Sequence, residues 1–115
     1  MSTNPFDLRG KRLTLDLNPC NQNLGIPGLT ARALRYGIDL RKGEDAMIFV
    51  SRDRKRLKIV TSDPTGQFLI AKHLDHGGFQ RILASIMSKG LQEISFQELA
   101  IFVEGGRIRV DPATC

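Results

Sequence analysis

Apolar and polar residues alternate early in the chain and separate into blocks in its middle. In KRLTLDLNP, residues 11–19, Leu13, Leu15 and Leu17 stand between polar neighbours, the period of a half-buried strand. Pro19 and the polar CNQN that follows end it. In GIPGLTARALRYGI, Thr30 suits a helix N-cap and Gly37 follows too soon for a long helix. This predicts one or two turns, with Leu29, Ala33 and Leu34 facing inward. RKGED, residues 41–45, is a polar turn, and the wholly apolar AMIFV after it has the length and the β-branched and aromatic content of a central strand.

The next segments return on that strand. DRK forms a turn, and RLKIVTS comes back with Leu57 and Ile59 on one face. DPTG, residues 63–66, places Asp, Pro and Gly where a type I turn wants them, and QFLIAKHL is a further strand. The predicted unit is a three-stranded antiparallel meander over about residues 46–74. After DHGG, Phe79, Ile82, Leu83 and Ile86 fall at helical spacing, with Gly90 as the stop. ISFQELAIFVEGG opens with Ser95 as N-cap and Glu98 three residues on, a capping box, and carries Leu99, Phe102 and Val103 as its apolar stripe. RIRV, residues 107–110, has the pattern of a short closing strand. The expected fold is α+β: the meander and an N-terminal strand, packed by two C-terminal helices. Residues 1–115 read as a single domain, with flexible tails at 1–10 and 111–115.

Composition adds exclusions. The chain is 41% hydrophobic and 25% charged, ordinary for a soluble globular protein. No apolar stretch approaches the roughly 20 residues needed to cross a bilayer, and MSTNPFDLRG lacks the basic and apolar regions of a secretory signal, which points to the cytoplasm. Cys20 and Cys115 form no CxxC pair and read as free thiols. His73 and His76 would point to opposite faces of a strand and fit surface positions better than a zinc site. There is no nucleophile motif, phosphate loop or dinucleotide fingerprint, and most acids sit in turns (Asp45, Asp53, Asp63, Asp75), where turn chemistry accounts for them. The reading is a protein with no catalytic residues, no metal site and no cofactor.

Charge changes the picture more. The net charge is +5, and Arg52, Arg54, Lys55, Arg56 and Lys58 crowd into the stretch SRDRKRLKIV. At a hairpin tip such clustering repels itself, while arginine presents a fork matched to phosphate oxygens. These five residues, with Lys72 on the next strand, are candidate nucleic-acid contacts, and Arg41 and Lys42 extend the patch. Cations at edges and turns also serve solubility alone, so both readings stand. No aromatic residue interleaves the cluster, which argues against a base-stacking platform.

Three stretches, AMIFVSRDRKRLKIV, SDPTGQFLIAKHLDHGGF and ISFQELAIFVEGGRIRV, follow in the order and spacing of one family. Over roughly residues 43–110 the chain resembles the small TnpB-type proteins, from the second reading frame of insertion-sequence-66 elements, a group of bacterial transposable elements. Residues 1–42 show no clear counterpart of that family's N-terminal helix, and Thr61 and Ser62 replace its usual aromatics. The resemblance implies a non-enzymatic accessory protein of transposition. Its expected partner is DNA, held by the phosphate backbone; the alternative is an adaptor that docks a transposase of the same element or another acidic partner.

Overall fold

The computed structural model describes residues 8–21, 23–79 and 90–105. A mixed sheet in the order β4-β3-β2-β1-β5 runs through it, formed by β1 (Arg12–Asp16), β2 (Asp45–Val50), β3 (Arg56–Asp63), β4 (Gly66–His73) and β5 (Leu91–Ile94). Helix α1 (Ile26–Arg35) links β1 to β2, and α2 (Phe96–Val103) follows β5. The meander is present as expected: Val50 pairs with Leu57, and Arg56 with His73, each in antiparallel register. The β1–β2 pair is parallel, Leu15 lying beside Ile48, because α1 carries the chain back before β2 begins.

All six residues of β2 are buried, which explains why its sequence is apolar without alternation. Ala46, Ile48 and Val50 join Leu13, Leu15, Leu57 and Ile59 on one face, under Phe79 and the Leu99 and Phe102 of α2. The rings of Phe79 and Phe102 stack there at 5.5 Å. Met47, Phe49 and Val60 occupy the opposite face, against Leu29, Ala33 and Leu40. The result is three layers, α1, sheet and α2.

Several elements depart from the sequence reading. Strand β1 is not half-buried: Thr14 and Asp16, on its polar face, are buried as well as Leu13 and Leu15, and Asp16 is met there by Arg32 of α1. Helix α1 has ten residues, with Gly25 as its N-cap and Pro27 in its first turn, so Thr30 is not a cap. Its hydroxyl accepts a hydrogen bond from Gln67 Nε2 at 2.9 Å, tying the helix to β4. Leu34 faces outward and is 44% exposed. Gly37 does end α1: at φ 86° it lets its own N–H reach the Leu34 carbonyl and that of Ile38 reach Ala33. Strand β5 was not expected; its four residues, LQEI, gain their place by pairing with β1, from Asp16 opposite Leu91 to Leu13 opposite Ile94.

The expected helix over FQRILASIMSKG and the RIRV strand lie outside the described residues, apart from Phe79 and Gly90. The capping box of α2 is present: Ser95 Oγ accepts from Glu98 N at 3.1 Å, and Glu98 Oε1 accepts from Ser95 N at 2.7 Å. Replacing Ser95 by Ala should therefore lower stability by about 1 kcal/mol. The readout is the midpoint of chemical denaturation, which Gln97→Ala, on the exposed side of α2, should leave in place.

Candidate nucleic-acid interface

The β2–β3 turn, residues 51–55, is built from its own polar side chains. Ser51 Oγ donates to Asp53 Oδ1 at 2.5 Å and accepts from Arg56 N at 3.1 Å, and Asp53 Oδ1 also accepts from Lys55 N. The Ser51 hydroxyl, then the Lys55 N–H and the nearby cations, hold the Asp53 carboxyl below its ordinary value. Arg54 takes the left-handed conformation at φ 63°, which closes the turn.

The turn does not stand alone in solvent. Phe79 N donates to the Arg54 carbonyl at 2.6 Å, Arg54 Nε donates to the Phe79 carbonyl at 2.5 Å, and Leu74 N donates to the Lys55 carbonyl at 2.8 Å. Residues 74–79 thus run beside the turn and pin it, with Phe79 inserted into the core behind. Gly78 permits the approach, since a Cβ there would stand 3.1 Å from the Arg54 carbonyl oxygen.

The six cations singled out from the sequence divide into two groups. Arg54 is half-buried and clamps Phe79. Lys58 Nζ donates to the Leu24 carbonyl at 2.9 Å, under the α1 face of the sheet. Lys72 Nζ donates to the Val103 carbonyl at 2.7 Å, at the C-terminal end of α2 on the other face, where the helix dipole favours a cation. Arg52, Lys55 and Arg56 are exposed, and among the described residues their charged groups have no hydrogen bond or ion pair. Arg41, which the patch was expected to include, is paired with Asp39 at 2.9 Å.

The turn also faces a loop that the charge pattern did not single out. Cys20, Asn21 and Asn23, from the β1–α1 loop, line an open cleft of about 400 Å³ with Ser51, Arg52, Asp53 and Arg56. It lies beyond the C-terminal ends of the parallel pair β1 and β2, joined there by Cys20 N donating to the Val50 carbonyl at 3.0 Å. The polar run CNQN was the available signal, but only tertiary pairing sets it beside the hairpin. Behind the cleft, the wholly buried Asp16 carboxylate accepts from Arg32 Nε at 2.7 Å and from Asn18 N at 2.9 Å. Arg32 Nη2 reaches on to the carbonyls of Asn18 and Pro19, so one helical arginine fixes the start of the loop.

Burial pushes the Cys20 thiol above its ordinary value, against the pull of Arg32 and Lys58, which leaves it a poor nucleophile. Among the described residues no group of three or more His, Cys, Asp and Glu stands close enough to share a metal ion, and no helix is long and apolar enough to cross a membrane.

A family model described as IS66 Orf2 like protein matches residues 11–112, which carries the resemblance back to β1 and α1. Neither a curated protein nor a solved structure matches the chain.

Two outcomes follow from the division of the cations. Arg54→Ala should lower stability by about 1–2 kcal/mol, through the lost charged hydrogen bond to Phe79, whereas Arg52→Ala should stay within about 0.5 kcal/mol of the parent. Equal denaturation midpoints for the two variants would remove the clamp assignment. Because the Asp53 carboxyl is held below its ordinary value of 3.8, its contribution to the turn is complete above that pH and is lost as pH falls through the lower folded value. Carboxyl-detected NMR titration should place its midpoint below 3.8.

Proposed function

The chain belongs to the IS66 Orf2-like family, transposition-associated accessory proteins of insertion sequences, and from that premise we propose that it acts without catalysis by binding DNA through the phosphate backbone. One observation carries the reading: among the described residues the charged groups of Arg52, Lys55 and Arg56 are exposed and make no hydrogen bond or ion pair, on a turn held by its own hydrogen bonds and by residues 74–79. Three like charges this close repel one another at the turn, whereas three positioned cations release counterions from a duplex. In this reading Arg52, Lys55 and Arg56 touch phosphate. Arg54, Lys58 and Lys72 contribute field from partly buried positions, and the protein works in the cytoplasm, where the element's DNA lies.

A second reading has its own support. Phe96 and Ile101 of α2 are 40% and 49% exposed, a surface suited to a protein partner such as the transposase of the same element. The two readings separate when the complex is purified from cells expressing the whole element and treated with nuclease: survival without nucleic acid favours the adaptor.

The DNA reading predicts an electrophoretic shift that weakens with salt by about −0.9 in the log–log slope per neutralised phosphate. Arg52→Glu with Lys55→Glu and Arg56→Glu should abolish the shift for every sequence tried. A triple variant that binds as the parent does would sink the assignment.

A further inference from the structure

The cleft shared by the β2–β3 turn and the β1–α1 loop carries a more specific ligand chemistry than a basic patch does. Among its lining residues are two arginines, Arg52 and Arg56, and one acid, Asp53. The formal charge of the lining is therefore +1. An internal phosphodiester carries a single negative charge, whereas a terminal phosphate monoester carries about −1.5 to −2 near neutral pH. The Asp53 carboxylate repels every negative charge placed in the cleft, so it opposes a monoester about twice as strongly as a diester.

The neutral groups fit the same ligand. Asn21 Oδ1 accepts from Asn23 N at 2.9 Å, which commits the acceptor end of that carboxamide and leaves its NH2 to donate. At about 400 Å³ the cleft falls at the small end of ligand sites and exceeds what one phosphate needs. Asn21, Asn23, Arg52, Asp53 and Arg56 are all exposed at its mouth, so a strand can enter and leave without ending there. The walls are formed in advance: Ser51 holds Asp53 and the Arg56 backbone, Lys58 holds the Leu24 carbonyl, and Arg32 holds the loop start. A site that need not be ordered on binding keeps more of its interaction energy.

We propose that this cleft is a subsite for one internal phosphodiester of a DNA strand, gripped by Arg52 and Arg56, and that Asp53 selects it against terminal phosphates. The proposal rests on the DNA-binding reading but makes a separate claim about place and charge. Asp53 is then a selectivity residue rather than a turn former alone. Its carboxyl, held below its ordinary value by Ser51 and Lys55, keeps the negative charge that the selection requires.

The test uses the full chain, labelled with nitrogen-15, and three probes: a short oligothymidylate with a 5′-hydroxyl, the same oligomer with a 5′-phosphate, and inorganic phosphate. The expected result is that the 5′-hydroxyl oligomer shifts the amides of Asn21, Asn23, Ser51, Arg52 and Arg56. The added terminal phosphate should bring no gain, and inorganic phosphate should displace the oligomer poorly. Asp53→Asn keeps the Oδ1 acceptor that Ser51 and Lys55 use, so the turn persists, and a melting curve matching the parent confirms it. In that variant inorganic phosphate should bind about fivefold more tightly, the scale of one removed repulsion at a half-solvated site, while the diester gains less. Arg52→Ala with Arg56→Ala should erase the cleft shifts.

Tighter binding of the 5′-phosphorylated oligomer by the parent, or equal gains for both ligands in Asp53→Asn, overturns the selection. If duplex DNA binds while the cleft amides do not move, the subsite is wrong and the DNA reading stands. If the oligothymidylate moves the cleft amides while duplex DNA gives no shift, the subsite stands and the duplex reading falls.

Discussion

Strand β2 is covered on both faces, and the positions of the other elements follow from the need to cover it. A strand with Met47 and Phe49 on one side and Ala46, Ile48 and Val50 on the other cannot lie at a surface without exposing large apolar area. It therefore sits between β1 and β3, with α1 over one face and α2 over the other. The parallel partner β1 brings the β1–α1 loop to the same end of the sheet as the β2–β3 turn. The candidate cleft is a consequence of that packing.

The protein spends half of its candidate cations on its own architecture. Lys58 and Lys72 bind backbone carbonyls on opposite faces of the sheet, and Arg54 locks the turn to Phe79. Lys11 does the same at the far end, donating to the carbonyls of Gly43 and Ser62 at 2.6 and 2.8 Å. Such charge-assisted bonds satisfy carbonyls that loops would otherwise leave without partners. What remains for a ligand is a small group at one rigid corner, so its geometry, more than the net charge of +5, sets what it can hold.

Membership of an accessory family fits a site of this kind. The cleft is walled by a hydrogen-bonded turn, and burial raises the pKa of the Cys20 thiol that lines it. The Asp16–Arg32 pair repeats the theme, a buried charge whose value lies in where it places the neighbouring loop.

Local chemistry was legible in the sequence wherever neighbours along the chain decide the outcome. The meander followed from the apolar run, its turns and the return strand, and the capping box of α2 from two residues three apart. The stop of α1 followed from a glycine that alone adopts a left-handed turn at little cost. The start of α1, the depth of β1 and the existence of β5 were not legible. Thr14 and Asp16 are polar residues buried by the tertiary fold, Asp16 against Arg32 of α1, and LQEI is a strand only because β1 offers an edge. The basic cluster itself was visible, but not which of its cations bond to backbone carbonyls. By itself the sequence determined that the charge would gather at the β2–β3 turn. Tertiary structure decided that Arg54, Lys58 and Lys72 turn to backbone carbonyls, and that Asn21 and Asn23 join Arg52, Asp53 and Arg56. Carbonyl partners and cleft walls come from residues distant in sequence, and no local pattern encodes that distance.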